Sequence, residues 1–329
     1  MTRAPRVDSL KRHMIELCWI NFLQSTGEKN VIYLAYLIMA ALVVLLSIKI
    51  SDYVDSLDRN TKLSGAFLGG ILLSGVTSLP ELFTSVSATM LLGHPELCVG
   101  NVLGSDLFNL TALAVIILAY AKRFAKSRIS KSYRHVVLIV FAMYLLLALN
   151  YGGIIDFRIL HISITSVLIA AVYLLGAKYL AIADDTEADD EMIQYQARKM
   201  SDSKQRPDRI LARFAVTAIA LVIASVLLTV LTNEISDKIE LTKTWAGAIL
   251  LGVATSVPEL TTSLRLFKLK NYNIAVGNIV GSNLFNFLIL VAADFVAINK
   301  QIYVTPGIEV IKLMVCGMAA TLLLYGMLK

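Results

Sequence analysis

Long apolar stretches separated by short polar connections recur along this chain, and they leave it few ways to fold. They lie at approximately 31–50, 64–92, 97–120, 134–150, 158–181, 210–232, 244–267, 272–297 and 307–328. Each is near the ~20 apolar residues that a helix needs to cross a bilayer. Backbone polar groups in hydrocarbon must bond within their own segment, so such stretches become helices. Nine spans are predicted. Composition agrees: the 329 residues are 57% hydrophobic, above the roughly 45–50% usual in soluble domains, and mean hydropathy is +0.71. The chain reads as an all-α, multi-pass membrane protein whose surroundings are a lipid bilayer.

Charge refines this picture. In a soluble protein a net charge of +6 would point to nucleic acid, but here Lys and Arg sit mainly in short loops between apolar spans. They concentrate after the first, third, fifth and seventh stretches and are sparse after the others, which places the connection around Lys122–Arg134 and the central linker in the cytoplasm. The basic residues Arg3, Arg6, Lys11 and Arg12 ahead of the first span run against that assignment. Four organisational segments follow: residues 1–30, with an interfacial helix over Met14–Leu23; a first transmembrane repeat, 31–181; a cytoplasmic linker, 182–209, acidic and then basic; and a second repeat, 210–329. The apolar patch at Met14–Leu23 holds Glu16, is too short to span, and carries no small-residue cleavage site. Three scattered cysteines and four scattered histidines form neither a disulfide framework nor a metal knuckle.

The chain also repeats itself. Thr77, Ser78, Pro80, Glu81 and Ser85 recur as Thr255, Ser256, Pro258, Glu259 and Ser263, always 178 residues later. Gly100, Asn101, Gly104, Ser105, Phe108 and Asn109 recur 177 later as Gly277, Asn278, Gly281, Ser282, Phe285 and Asn286. Five spans lie between one copy and the next, and an odd number makes equivalent segments enter the membrane from opposite faces. The expectation is about nine to ten helices in two inverted five-helix repeats, with broken helices near the bilayer midplane. Pro80 and Pro258 supply the breaks, because neither offers a backbone N–H to the carbonyl of Val76 or Ala254.

Thr77, Glu81 and Ser85 fall on one helix face, as do Thr255, Glu259 and Ser263. Ser105 with Asn109, and Ser282 with Asn286, are each four apart on the following helix. The resulting set of carboxylates, amides, hydroxyls and carbonyls suits a hard cation such as Ca²⁺ or Na⁺ and argues against a soft metal. An intramembrane Glu costs ~2.5 kcal/mol or more, so one at the centre of each repeat marks a working site, against the blander reading of protonated glutamates that bond neighbouring helices. Gly100, Gly104, Gly277 and Gly281 have ordinary helix-packing spacing and are read as packing residues. Asn-Leu-Thr at Asn109 matches a glycosylation acceptor, but it lies inside a span. An intramembrane hydrolase would need a nucleophile–base pair or an HExxH motif, and neither is present. A scaffold with inert motifs is the remaining rival.

The two motifs, G-x-x-T-S-x-P-E-L and G-N-x-x-G-S-[ND]-x-F-N, resemble the α-repeats of the calcium/cation antiporter superfamily, which contains the sodium/calcium exchangers. The resemblance implies a secondary transporter, not an enzyme, that exchanges Ca²⁺ for Na⁺ by alternating access, with spans 1 and 6 moving across a fixed core. It calls for no cofactor. By the same resemblance the metal ligands are Glu81 and Glu259 first, then Asn109, Asn286, Thr77, Ser78, Thr255, Ser256, Ser105 and Ser282, with backbone oxygens of Ser74 and Gly252. H⁺/Ca²⁺ exchange, or exchange of another divalent cation, is the alternative. The chain departs from the pattern in three respects. Many members carry Asp in one repeat where Asn109 and Asn286 stand here; Asp106 occupies the place of Asn283 in the second copy; and a tenth span is missing or truncated.

Overall fold

The computed structural model describes residues 31–61, 73–127, 129–155, 157–185, 207–298, 301–303 and 306–328. The interfacial helix expected over Met14–Leu23 and most of the linker lie outside them. In chain order the elements are α1 (Val31–Thr61), α2 (Leu73–Thr77), α3 (Leu79–Ser87) running into a π-helical turn, π1 (Ala88–Leu92), and α4 (Pro95–Ala119). After them come α5 (Ala121–Phe124), α6 (Ser132–Tyr151), β1 (Arg158–Ile159), β2 (Ile162–Ser163) and α7 (Ile164–Asp185). The second half holds α8 (Pro207–Lys238), α9 (Lys243–Trp245), π2 (Ala246–Leu251), α10 (Gly252–Lys268), α11 (Tyr272–Val296) and α12 (Ile308–Met327).

Among the described residues, eight helical stretches are long and apolar enough to cross a membrane. The second predicted span is represented by the shorter Leu79–Leu92 run and the single turn of α2 before it. Burial ranks these helices. In α11, 67% of the most apolar window is buried inside the protein and in α4 56%, against 17% in α1. The span that contains α10 is also 56% buried, so these motif-bearing helices are central, and α1 turns residues such as Leu34, Leu37 and Leu45 outward, where lipid is their natural solvent.

Close backbone approach makes the centre. A Cβ on Gly252 would lie 2.9 Å from the backbone nitrogen of Ser105, and one on Gly281 would lie 2.7 Å from Ser74 Oγ. Gly100 likewise faces the backbone of Thr244, Gly104 that of Ala248 and Gly277 the ring of Tyr133. Small residues let helices meet at this distance without lateral hydrophobic drive. Gly104→Ala is accordingly expected to cost about 1–3 kcal/mol through overpacking. Gly326→Ala, where nothing lies within 4 Å, should be neutral, and thermal unfolding of the two purified variants in detergent makes the comparison.

Two expectations need correction. The stretch at 158–181 does not begin as a helix: Arg158–Ser163 forms a two-residue hairpin, with Arg158 paired to Ser163, and α7 starts at Ile164. Leu160 turns it in the left-handed region (φ 59°), and Arg158 Nη1 donates to the carbonyl of His161 at 3.1 Å. The helix start is set from far away in sequence, by Asp294 at the end of α11. Its Oδ2 accepts from the Ser163 backbone N–H at 2.8 Å and from Ser166 Oγ at 2.7 Å, which satisfies an orphan donor of the first turn. Tyr303 completes this corner, 3.0 Å from Ser166 Oγ. Burial holds its phenol well above the usual range, so it remains a hydroxyl.

The proline breaks also differ between copies. In the first, Ser78 is a turn between α2 and α3, and Pro80 sits in the opening turn of α3, where a missing N–H costs least. In the second, Pro258 lies inside an uninterrupted α10, and the irregularity falls earlier, in π2. There Tyr36 of α1 donates to the carbonyl of Leu250 at 2.7 Å.

Candidate functional site

The two glutamates are buried, with 1% of Glu81 and none of Glu259 exposed. Each is held by a serine of the other repeat. Ser78 Oγ donates to Glu259 Oε1 at 3.1 Å, and Ser256 Oγ donates to Glu81 Oε1 at 3.1 Å. These bonds are the same interaction made twice, since Ser78 and Ser256 are 178 residues apart, as are Glu81 and Glu259. The hydroxyl of Thr255 lies in reach of Glu81, and that of Thr77 in reach of Glu259. Sequence pattern alone placed Thr77, Glu81 and Ser85 on one face; in the folded protein, the hydroxyls beside each carboxylate come from the opposite copy.

The amides follow. Asn109 and Asn286 are each 1% exposed, one on α4 and one on α11. Four buried oxygens here have no hydrogen-bond partner: Glu81 Oε2, Glu259 Oε2, Asn109 Oδ1 and Asn286 Oδ1. An unpartnered acceptor is costly in hydrocarbon, and these come from two pairs of equivalent positions of the repeats. Around them Ser105 Oγ donates to the carbonyl of Gly252 at 3.3 Å, Thr77 Oγ1 to that of Ser74 at 3.1 Å, and Thr255 Oγ1 to that of Leu251 at 2.9 Å. Ser282 Oγ meets Thr77 Oγ1 at 3.4 Å. All twelve positions named from the resemblance are thus buried, and bonds of Thr77, Ser78, Ser105 and Ser256 cross between the repeats.

Two of the hydroxyls grouped by helical spacing do other work. Ser85 accepts from Asn101 Nδ2 at 2.9 Å, and Ser263 accepts from Asn278 Nδ2 at 3.0 Å. The same amide nitrogens reach the glutamates' own backbone carbonyls, that of Glu81 at 3.3 Å and that of Glu259 at 3.4 Å. Asn101 and Asn278 therefore clamp the helical turn that carries each carboxylate. Their recurrence at the motif offset was visible in sequence, although the partner was not. Asp106, which stands in the place of Asn283, is fully buried and accepts from Asn286 Nδ2 at 2.8 Å.

The repeat extends further than its motifs. Ser47 on α1 and Ser225 on α8 are 178 apart, as are Ser51 and Thr229. Ser51 Oγ donates to the carbonyl of Ser47 at 3.1 Å and Thr229 Oγ1 to that of Ser225 at 2.8 Å, while the hydroxyl oxygens of Ser47 and Ser225 are both buried and unpartnered. Thr229 Oγ1 also approaches the carbonyl of Thr84, one turn beyond Glu81, at 3.4 Å. Carrying the offset of the glutamates back into the first span would have found this pair.

Chemically, the arrangement presents oxygen only. Among the described residues, the side chains that donate to either carboxylate are hydroxyls. Two carboxylates, two amide oxygens and nearby carbonyls are the donor types that a hard cation prefers.

Comparison with known proteins identifies the family. The family described as "Sodium/calcium exchanger protein" matches residues 31–180 and 209–329. Inner membrane protein YrbG of Escherichia coli (strain K12) is 27% identical over 245 residues, covering 73% of this chain and 70% of that protein. The putative antiporter CaxA of Alkalimonas amylolytica is 27% identical over 247 residues, covering 71% and 70%. Among solved structures, the H⁺/Ca²⁺ exchanger CAX superposes with a TM-score of 0.72 at 13% identity, over 98% of this chain and 83% of that one. The sodium-calcium exchanger NCX_Mj gives 0.54 at 18% identity, over 91% and 90%. At these identities the two structures speak for the fold. With a multi-pass helical architecture, a repeated acidic motif and a family match across both halves, the chain belongs to the sodium/calcium exchanger family of cation antiporters.

Proposed function

We propose that this chain exchanges Ca²⁺ for Na⁺ across the cell (inner) membrane by alternating access, with the central linker in the cytoplasm. One observation carries the reading: the four buried oxygens of Glu81, Glu259, Asn109 and Asn286 that have no hydrogen-bond partner. Two carboxylates match the charge of one Ca²⁺, and the flanking Thr77, Ser78, Thr255, Ser256, Ser105 and Ser282, with the carbonyls of Ser74 and Gly252, supply the neutral oxygens that Na⁺ uses. The two cations compete for overlapping ligands. An empty site would leave two carboxylates unpaired within the membrane, which is costly, so reorientation requires one cation or the other and exchange follows. In this scheme α1 and α8 slide over the core formed by α3, α4, α10 and α11, with Ser47 and Ser225 on the moving faces.

The test uses the full chain in sealed vesicles loaded with Na⁺ or with K⁺, at equal pH on both sides. An outward Na⁺ gradient is expected to drive ⁴⁵Ca²⁺ uptake above the K⁺ control. Uptake driven by a pH gradient and indifferent to Na⁺ would instead assign H⁺ as the exchanged ion. No uptake under either gradient would sink the transport reading.

A further inference from the structure

The two repeats differ at one buried position of the motif. Gly104-Ser105-Asp106 in the first copy is matched by Gly281-Ser282-Asn283 in the second. Asp106 is fully buried, and its side-chain bonds all cross to other helices. Oδ1 accepts from Asn286 Nδ2 at 2.8 Å and Oδ2 from the Tyr144 hydroxyl at 3.3 Å, while its backbone carbonyl accepts from Asn283 Nδ2 at 3.2 Å. Tyr144 is itself fixed. Its ring meets Phe287 edge-on at 5.0 Å, and a Cβ on Gly317 would come within 2.6 Å of its Cζ.

This geometry decides which end of the Asn286 amide faces the centre. An amide side chain has a donor end and an acceptor end of nearly equal size, and a cation tolerates only the acceptor. Asp106 Oδ1 accepts here, so Asn286 turns its NH₂ group to Asp106 and its Oδ1 away, and that Oδ1 is one of the four unpartnered oxygens. Among the described residues, Asn109 has no carboxylate behind it. At 2.8 Å the bond ties α11 to α4 and fixes the orientation of the amide. Carboxylates one hydrogen bond behind a ligand orient and strengthen metal sites in the same way.

We propose that Asp106 is a positioning residue of the cation site: it locks the Asn286 carbonyl toward the cation and sets a third carboxyl group one hydrogen bond back from it. This inference rests on the four-oxygen centre being the transport site. It also accounts for the departure of Asn109 and Asn286 from the family's acidic residue, because the acid is present but displaced by one rank.

The test is a charge swap read by ⁴⁵Ca²⁺ uptake over a Ca²⁺ concentration series. Asn286→Asp alone sets two carboxylates against each other and is expected to raise KM about 10- to 100-fold. Asp106→Asn added to it places an amide donor behind the new carboxylate, and should bring KM back to within about threefold of the parent. Asp106→Leu frees the Asn286 amide and should raise KM with a smaller change in Vmax; if that variant does not fold, the swap decides alone. A swap that fails to rescue, or a folded Asp106→Leu with the parent KM, overturns the proposal. Glu81→Gln in the same vesicles separates the two levels. If exchange survives it, the site itself is misassigned; if exchange is lost while the swap gives no rescue, only the role of Asp106 falls.

Discussion

Glu81→Gln and Glu259→Gln are each expected to abolish exchange and to weaken Ca²⁺ binding by more than about 100-fold. The estimate follows from the cost of removing one partner from a buried charged cluster, about 3–5 kcal/mol, and from 1.4 kcal/mol per decade of affinity. Gln keeps the shape and one acceptor oxygen, and the serine across the repeat, Ser256 or Ser78, can still donate to it. What is lost is the charge. Because each glutamate has the same neighbours in mirror order, the two variants should fail to a similar degree. Thermal unfolding gives a second readout that does not depend on transport. A ligand at 100 times its dissociation constant stabilises by about 2.7 kcal/mol, so the parent should gain several degrees in Ca²⁺ and the variants almost nothing. A variant that keeps the full calcium shift would remove that glutamate from the site.

The second large effect is expected at the two clamp residues. In Asn101→Leu the carbonyl of Glu81 and the hydroxyls of Thr84 and Ser85 lose the amide that bonds all three, at 3.3, 3.0 and 2.9 Å. Each buried group left unsatisfied costs about 1–3 kcal/mol, and water cannot compensate in hydrocarbon. The expectation is a steep fall in folded yield and melting temperature, with residual protein binding Ca²⁺ weakly because the turn carrying Glu81 is no longer held. Asn278→Leu should behave alike but more mildly, since its amide serves the Glu259 carbonyl at 3.4 Å and Ser263 at 3.0 Å. Melting curves of the two variants with and without Ca²⁺ check both the direction and the order.

Much of this was legible in the residues, for a physical reason. Span formation is dictated by unbroken apolar runs, and the repeat by identity at a fixed offset, so the helical membrane architecture and the convergence of Glu81 with Glu259 followed from local information. Three features did not. The start of α7 was misread because Ile159, Leu160 and Ile162 look like the head of a span, whereas Asp294, 131 residues from Ser163, caps the helix later. Ser85 and Ser263 shared a face with the glutamates yet were taken by Asn101 and Asn278 on neighbouring helices, a competition that spacing within one helix cannot reveal. Pro258 was expected to break its helix, but the neighbouring π-helical turn took up the irregularity instead. The extension of the repeat to Ser47 and Ser225 was hidden by the freely exchangeable apolar residues around them.

The crossed serine–glutamate bonds bear on how such a protein could have arisen. Ser78 serves Glu259 and Ser256 serves Glu81, so a single repeat would own a carboxylate and a serine that cannot reach each other in the same way. The smallest unit that makes these bonds is a pair of copies. A half-length forerunner would therefore have had to pair with a second copy of itself, and fusing the two copies into one chain would have made a chance encounter permanent.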